Sequence, residues 1–318
     1  MAEVFVFLVS LSAVIVGADW LGNAATYFAK KLSLPKILIG ATFVSIATTG
    51  PEIVIAFFSG IGREPAIGLG TALGSPLVNI GLILGLLLFF SKARVDEPHY
   101  TRTIQIFLLV LATVFFLSIT GTITPISGFA LFLVGIFYLL LEFFISKNEQ
   151  GIIEGVESRF WRLKSFFSRK NNLQVFYFIA GAILLLGGAH FLVGSAATIA
   201  AIFGIPEIVI GFVAIAFGTS LPELFFAVNA ILRRRTELSV GNLFGASILD
   251  LTLALGLIGI LGGFTVRPYI LYLTIGTAAL LSILALSPVF GKFRPKVIGI
   301  ISIAIYFGFL IWFGKVCI

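Results

Sequence analysis

Two short stretches carry an ionisable residue into otherwise apolar sequence: ATTGPE at residues 47–52 and GTSLPE at residues 218–223. Glu52 and Glu223 are 171 positions apart, and each follows a proline, Pro51 or Pro222, that has no backbone N–H to donate. A helix running through either stretch is disrupted around the turn before the proline, and carbonyls such as those of Thr48 and Thr219 lose intrahelical partners. Hydroxyls stand beside each break, on Thr48, Thr49, Thr219 and Ser220. Twenty-seven residues after each glutamate comes a second polar position, Asn79 in GSPLVN and Asp250 in GASILD. Hard oxygen donors without a His or Cys cluster suit Ca2+, Na+ or Mg2+ rather than zinc or copper. Two carboxylates with carbonyl and hydroxyl oxygens neutralise one Ca2+, and the same oxygens can instead serve several Na+ ions. Competition for one ligand set is then itself an exchange mechanism, and protons compete in the same way because burial disfavours the charged carboxylate. The bland alternative for Glu52 and Glu223 is a hydrogen bond between packed helices. A carboxylate at membrane depth costs at least about 3 kcal/mol and is functional by default, which favours the chemical reading.

The elements that must hold these residues are membrane helices. Of 318 residues 59% are hydrophobic and 11% charged, and the mean hydropathy of +1.15 is that of a polytopic integral protein rather than of a soluble core. Ten segments reach the length of a spanning helix: roughly 3–29, 35–61, 66–91, 102–119, 125–146, 173–201, 206–232, 238–262, 268–288 and 296–314. Their continuity excludes a transmembrane β-barrel, whose strands alternate over about ten residues. The first segment lacks a positive n-region and reads as a retained helix, not a signal peptide. Cys317 is the lone cysteine and forms no intramolecular disulfide. The connections after spans 1, 3, 5, 7 and 9 hold 18 of the 21 Lys and Arg, leaving Arg63, Arg267 and Lys315 on the other side. The positive-inside rule places those connections in the cytoplasm and both termini outside, in a multi-pass protein of the cell membrane. The +7 net charge is thus mostly topology and implies no nucleic-acid partner.

The chain is duplicated. Residues 35–85 laid on 206–256 without a gap match at 14 of 51 positions, including Pro35/Pro206, Gly40/Gly211, Thr48/Thr219, Pro51/Pro222, Glu52/Glu223, Gly74/Gly245 and Gly85/Gly256. Five spans per copy is odd, so the second copy enters the membrane from the opposite side. Inverted repeats of this kind are typical of secondary transporters, with the site near the midplane where interrupted helices of the two halves meet. The expected fold is all-α integral membrane, ten transmembrane helices as two inverted five-helix repeats. The first repeat is residues 1–146 and the second 173–318. A basic linker, 147–172, joins them, either lying on the membrane surface through its interleaved aromatics or simply a charged cytoplasmic loop.

The doubled G-T-S-x-P-E and G-S-x-x-x-N/D pattern resembles the cation/calcium exchanger superfamily, and most nearly its compact prokaryotic sodium/calcium exchangers. The resemblance covers all ten spans. It implies that Glu52 and Glu223 are central cation ligands, that Thr48 and Thr219 add carbonyl and hydroxyl oxygens, that Thr49 and Ser220 serve sodium sites, and that Asn79 and Asp250 complete the cluster. Ser45 and Ala216 stand where the family uses an alanine carbonyl, and Ser75 matches a sodium-site serine. The implied fold has spans one and six sliding across the other eight. Ala47, Thr49 and Gly50 depart from the family's first motif, and Gly50 beside Pro51 loosens the break further. Ala246 stands in the place of Ser75, removing one hydroxyl, with Ser247 adjacent.

The function expected is secondary antiport of Ca2+ against Na+ by alternating access, with a divalent cation/H+ exchanger as the alternative. The hydroxyls favour sodium and Ala246 weakens that preference. A channel built from rings of equivalent side chains does not fit one internally inverted chain. Neither His99 nor His190 has catalytic neighbours in sequence, so no enzyme activity and no cofactor are expected. The expected partners are inorganic cations and the lipid bilayer, for a functional monomer. Asp19 aligns with His190 at the repeat offset; His190 is either a proton-sensitive group on a sliding helix or a satisfied polar residue near a helix end. Glu142 and Glu207 are expected at the membrane interface, and the 34 phenylalanines are expected to face lipid.

Overall fold

A computed structural model describes residues 2–31, 49–62, 64–90, 98–149, 172–232, 236–287 and 294–317. Its helices, in chain order, are α1 (Ala2–Lys31), α2 (Gly50–Ile61), α3 (Pro65–Phe90), α4 (Pro98–Leu117), α5 (Pro125–Glu149), α6 (Asn172–Phe203), α7 (Glu207–Leu232), α8 (Ser239–Gly262), α9 (Pro268–Leu286) and α10 (Pro295–Cys317). Among the described residues nine helices are long and apolar enough to cross a membrane, and the shorter α2 is the described end of the second predicted span. Five helices start on proline, at Pro65, Pro98, Pro125, Pro268 and Pro295, where the missing N–H costs nothing. Most of the predicted linker, 150–171, lies outside the described residues.

The layering follows burial. In α8, 89% of the apolar window is buried and in α3, 78%, against 28% for α1, α5 and α6. The helices carrying Asn79 and Asp250 therefore form the centre. Apolar side chains cover the outside, with Phe5, Phe116, Phe137 and Phe225 exposed as lipid-facing helices require. The expectation for phenylalanine is only partly met, because Phe107, Phe212, Phe244 and Phe313 are fully buried. Phe212 stacks on Phe313 at 4.3 Å, and Phe107 meets Phe244 edge-on at 5.5 Å. A large flat ring fills space between helices as well as it faces lipid, and composition does not separate the two uses.

One short strand pair departs from the purely helical expectation. Thr122–Ile123 (β1), between α4 and α5, pairs antiparallel with Phe264–Thr265 (β2), between α8 and α9. Gly121 and Gly263 turn the chain there with φ of 77° and 65°. This ribbon ties one half of the protein to the other at one face of the bundle.

The described residues form two buried apolar clusters. The larger runs through α3, α4, α8, α9 and α10. The second joins α1 and α6, through Val14, Ala18, Leu185, Ala189 and Leu192, to Ile55 of α2, Ile67 of α3 and Ile210 and Ile215 of α7. The α1–α6 seam shows the duplication at atomic level. A Cβ at Gly17 would lie 2.6 Å from Leu185 N and 2.8 Å from Gly181 O, and one at Gly188 would lie 3.0 Å from both Val14 N and Ser10 O. Those two sets are each other's images under the 171-residue offset. The same offset relates Gly85 against Gly299 to Gly256 against Gly128.

Because the atoms met at Gly17 are backbone, Gly17→Leu should destabilise the protein by about 1–3 kcal/mol, seen as a lower thermal midpoint in detergent. Gly194→Leu, at a position on α6 with open space around it, should leave the midpoint unchanged or raised. Equal midpoints for the two variants would contradict this packing.

Candidate cation site

The turns before the two prolines are alike over the described residues. Thr49 precedes α2 with φ −82° and ψ −4°, and Ser220 interrupts α7 with φ −82° and ψ 3°. Ile53 N donates to Thr49 O at 3.1 Å, and its mate Leu224 N donates to Ser220 O at 3.1 Å. Thr49 and Ser220 are both bridge-region residues, and after each a helix runs through Pro51 and Glu52 or Pro222 and Glu223. Pro222 has no N–H for the carbonyl of Gly218, and the turn at Ser220 absorbs that loss.

Asn79 and Asp250 each sit at the start of a π-helical turn, Val78–Ile83 in α3 and Asp250–Ala254 in α8. Leu84 N donates to Asn79 O and Leu255 N to Asp250 O, the five-residue spacing of a π turn. A third π turn, Ile210–Ile215, ends at Ala216 in α7. Such wide turns are costly and concentrate at functional sites. Sequence reading did not detect them.

Close backbone contact brings the halves together. At Gly74 of α3 a Cβ would lie 2.8 Å from the Ala216 Cβ and 2.6 Å from Phe212 O, so only glycine lets α3 approach α7 here. The approach sets Ser75 and the Ala216–Ser220 turn around Glu52. Ser75 Oγ donates to Glu52 Oε1 at 3.5 Å, and Thr219, from the other half, stands beside the Glu52 carboxyl. The Thr219 hydroxyl lies 3.0 Å from Ile215 O and 3.4 Å from Ala216 O. Across the same interface Asn79 Nδ2 donates to Ser247 Oγ at 3.4 Å. Asp250 is near enough to Glu52 and Glu223 to feel both charges.

Every described member of the expected set is buried: Glu52, Glu223, Asp250, Asn79, Ser75, Thr49, Thr219, Ser220 and Ala216 are each at most 2% exposed. Thr48 and Ser45 lie outside the described residues. Within this set, the buried Thr49 Oγ1, Glu52 Oε2, Asn79 Oδ1, Ser220 Oγ and Asp250 Oδ1 have no protein hydrogen-bond partner. Orphaned acceptors of this kind are rare in folded proteins and call for a ligand. Among the described residues no three acidic, histidine or cysteine side chains form a compact metal group. A cation held here would therefore depend on neutral oxygens as much as on carboxylates, which is the chemistry of Na+ and Ca2+. A cavity of about 370 Å³, lined by Leu69, Pro206, Arg267 and Ile270 among others, shares no residue with this cluster.

The comparisons with known proteins agree with the geometry. The family model described as sodium/calcium exchanger protein matches residues 2–144 and 173–315. The chain belongs to the sodium/calcium exchanger family. Within that family it is 31% identical over 252 residues to the inner membrane protein YrbG of Escherichia coli, covering 79% of this chain and 77% of that one. It is 24% identical over 312 residues to the sodium/calcium exchanger MaX1 of Methanosarcina acetivorans, covering 88% and 89%. The solved structure of the sodium-calcium exchanger NCX_Mj soaked with Na+ and Sr2+ is similar, with a TM-score of 0.66, 27% identity and 96% and 97% of the two chains covered. This exchanger-family chain is thus a multi-pass membrane protein built from two repeated five-helix units.

Polar residues elsewhere have structural roles. Glu142, near the end of α5, is 3% exposed, with Oε1 3.8 Å from Arg102 Nη2 of α4. The apolar run around it gave no sign of a partner 40 residues earlier. Glu207 is half-buried at the start of α7, its carboxyl against that of Glu64. Asn23 Nδ2 donates to Asp19 Oδ1 at 3.0 Å, the satisfied arrangement. His190 is exposed in mid-helix rather than near an end, edge-on to Phe58 at 5.3 Å.

Arg102→Met would strand the buried Glu142 carboxyl. With Arg102 itself 31% exposed, a loss of about 2 kcal/mol is expected, less than for a fully buried pair. Adding Glu142→Gln should restore most of the thermal midpoint. A double variant no more stable than Arg102→Met would contradict a purely structural pair.

Proposed function

We propose that the chain is a secondary active antiporter that moves Ca2+ against Na+ by alternating access through one central cation site. The observation that carries this reading is the set of buried, unpartnered oxygens contributed by both halves around Glu52 and Asp250. Glu52 and Glu223 are the principal ligands, Asn79 and Asp250 complete the middle, and Thr219 and Ala216 offer hydroxyl and carbonyl oxygens. Thr49, Ser220 and Ser75 supply hydroxyls for Na+, with Thr48 and Ser45 on the preceding stretch of the first half. Na+ and Ca2+ are the transported ions; no cofactor is needed, and one chain holds the whole site.

Charge explains the coupling. Three buried carboxyls cannot lie ionised and bare beneath an apolar cover. Ca2+ cancels two charges and a proton the third, whereas Na+ ions cancel them one at a time. A site over which the apolar α1–α6 pair slides only when the site is neutral exchanges one load for the other. The moving part is the α1–α6 pair, which carries none of these ligands and meets the rest of the bundle through its own apolar cluster. The distribution of Lys and Arg places both termini outside and the 147–172 linker in the cytoplasm.

Proton coupling remains the second reading, on one observation. Ser75 gives Glu52 a hydroxyl, while its mate Ala246 has none to give on the other side. In proteoliposomes loaded with Na+, 45Ca2+ uptake should require internal Na+, fail with K+ inside, and vanish in Glu223→Gln. Uptake driven by a pH gradient and indifferent to Na+ would replace sodium by protons. Absence of exchange under every gradient would overturn the antiporter reading.

A further inference from the structure

The contact between Asn79 and Ser247 is directional. Ser247 is fully buried, and its hydroxyl donates to Leu243 O at 2.7 Å, one turn back on α8. A hydroxyl has one proton, so with that proton committed Ser247 Oγ can only accept from other groups. It faces Asn79 across the interface between the halves at 3.4 Å, a long contact that orients more than it binds. The carboxamide has two unlike ends, and only the NH2 end suits an acceptor. Asn79 Oδ1 is thereby turned away from Ser247, and it is among the buried oxygens without a protein partner.

The repeat offset makes the pair more telling. The images of Asn79 and Ser247 are Asp250 and Pro76. A carboxylate has two equivalent oxygens and needs no partner to choose between them, and the position equivalent to Ser247 in the opposite half is a proline, with no hydroxyl. The amide instead meets, from the opposite half, a hydroxyl whose proton is held elsewhere. Neither composition nor the sequence motif assigns Ser247 a role.

We propose that Ser247 is a positioning residue that fixes the flip of the Asn79 carboxamide, so that Oδ1 and not Nδ2 faces the transported cation. This rests on the cation-site reading above and adds a residue to it. Without Ser247 the amide is free to present its NH2 to a cation, which repels it. Partners that orient a ligand commonly contribute about tenfold or more to metal affinity.

The test is equilibrium 45Ca2+ binding to the full chain in nanodiscs, in wild type, Ser247→Ala, Ser247→Thr, Asn79→Asp and Asn79→Asp/Ser247→Ala, with Glu223→Gln as the site control. Ser247→Ala should raise Kd about tenfold, and Ser247→Thr, which keeps the acceptor, should restore it to within about threefold. In the Asn79→Asp background, where there is no flip to fix, Ser247→Ala should have no effect. An unchanged Kd in Ser247→Ala overturns the proposal, and so does an equal loss in the wild-type and Asn79→Asp backgrounds, which would mark simple packing. Should Asn79→Asp bind no Ca2+, the Ala and Thr variants alone decide: equal losses overturn the proposal. Wild-type binding that survives Glu223→Gln would instead show that the site reading, on which the proposal stands, is wrong.

Discussion

One electrostatic constraint governs this structure: the carboxyl groups of Glu52 and Asp250 lie in the middle of an apolar bundle, with no ion-pair partner among the described residues. Among the described residues no lysine or arginine ion-pairs with Glu52 or Asp250, and both are at most 2% exposed. Compare Glu142, equally buried, which has Arg102 beside it. A protein that needed only stability would treat all its buried acids as it treats Glu142, since an unpaired buried charge is among the costliest features a fold can carry. Leaving Glu52 and Asp250 without such a partner makes their compensation available to an ion from outside. The proline breaks, the π turns and the glycine contact at Gly74 then have a common purpose, which is to bring oxygens from four helices to those carboxyls without exposing backbone to lipid.

Duplication supplies the geometry cheaply. One offset relates the breaks at Thr49 and Ser220, the π turns at Asn79 and Asp250, and the close contacts at Gly17 and Gly188. The scaffold is near-symmetric, which lets two opposed conformations have similar energies, as alternating access demands. Departures from symmetry are instructive where they fall in the site: Asn79 against Asp250, Ser75 against Ala246, Pro76 against Ser247. They change the charge and the hydroxyls present there while the packing outside stays paired.

Much of this was legible in the sequence because membrane helices declare themselves by length and apolarity, and because the rare residues recur in register. Ten spans, the repeat and the central positions of Glu52, Glu223, Asn79 and Asp250 all follow from that. The π turns were not legible, since a one-residue widening of a helix leaves no mark in hydropathy. The burial of Glu142 was hidden because its partner is on another helix, and a charge near a span end reads as interfacial. Phe107 and Phe244 read as lipid-facing for a related reason: in a membrane protein both sides of a helix are apolar, so periodicity does not tell core from surface. Ser247 was noticed only as a neighbour of Ala246; its use of one proton and one lone pair is a matter of three-dimensional contact.

The central claim is that Na+ and Ca2+ use the same carboxyl oxygens in turn. Calorimetric titration of Ca2+ into nanodisc-embedded protein at a series of fixed Na+ concentrations tests it most directly. The account predicts that Na+ raises the apparent Kd for Ca2+ without limit, more steeply than first order in Na+, because several Na+ ions must leave for one Ca2+ to enter. A Ca2+ affinity that is independent of Na+, or that levels off as Na+ rises, would mean both ions are bound at once, and would contradict a single shared site.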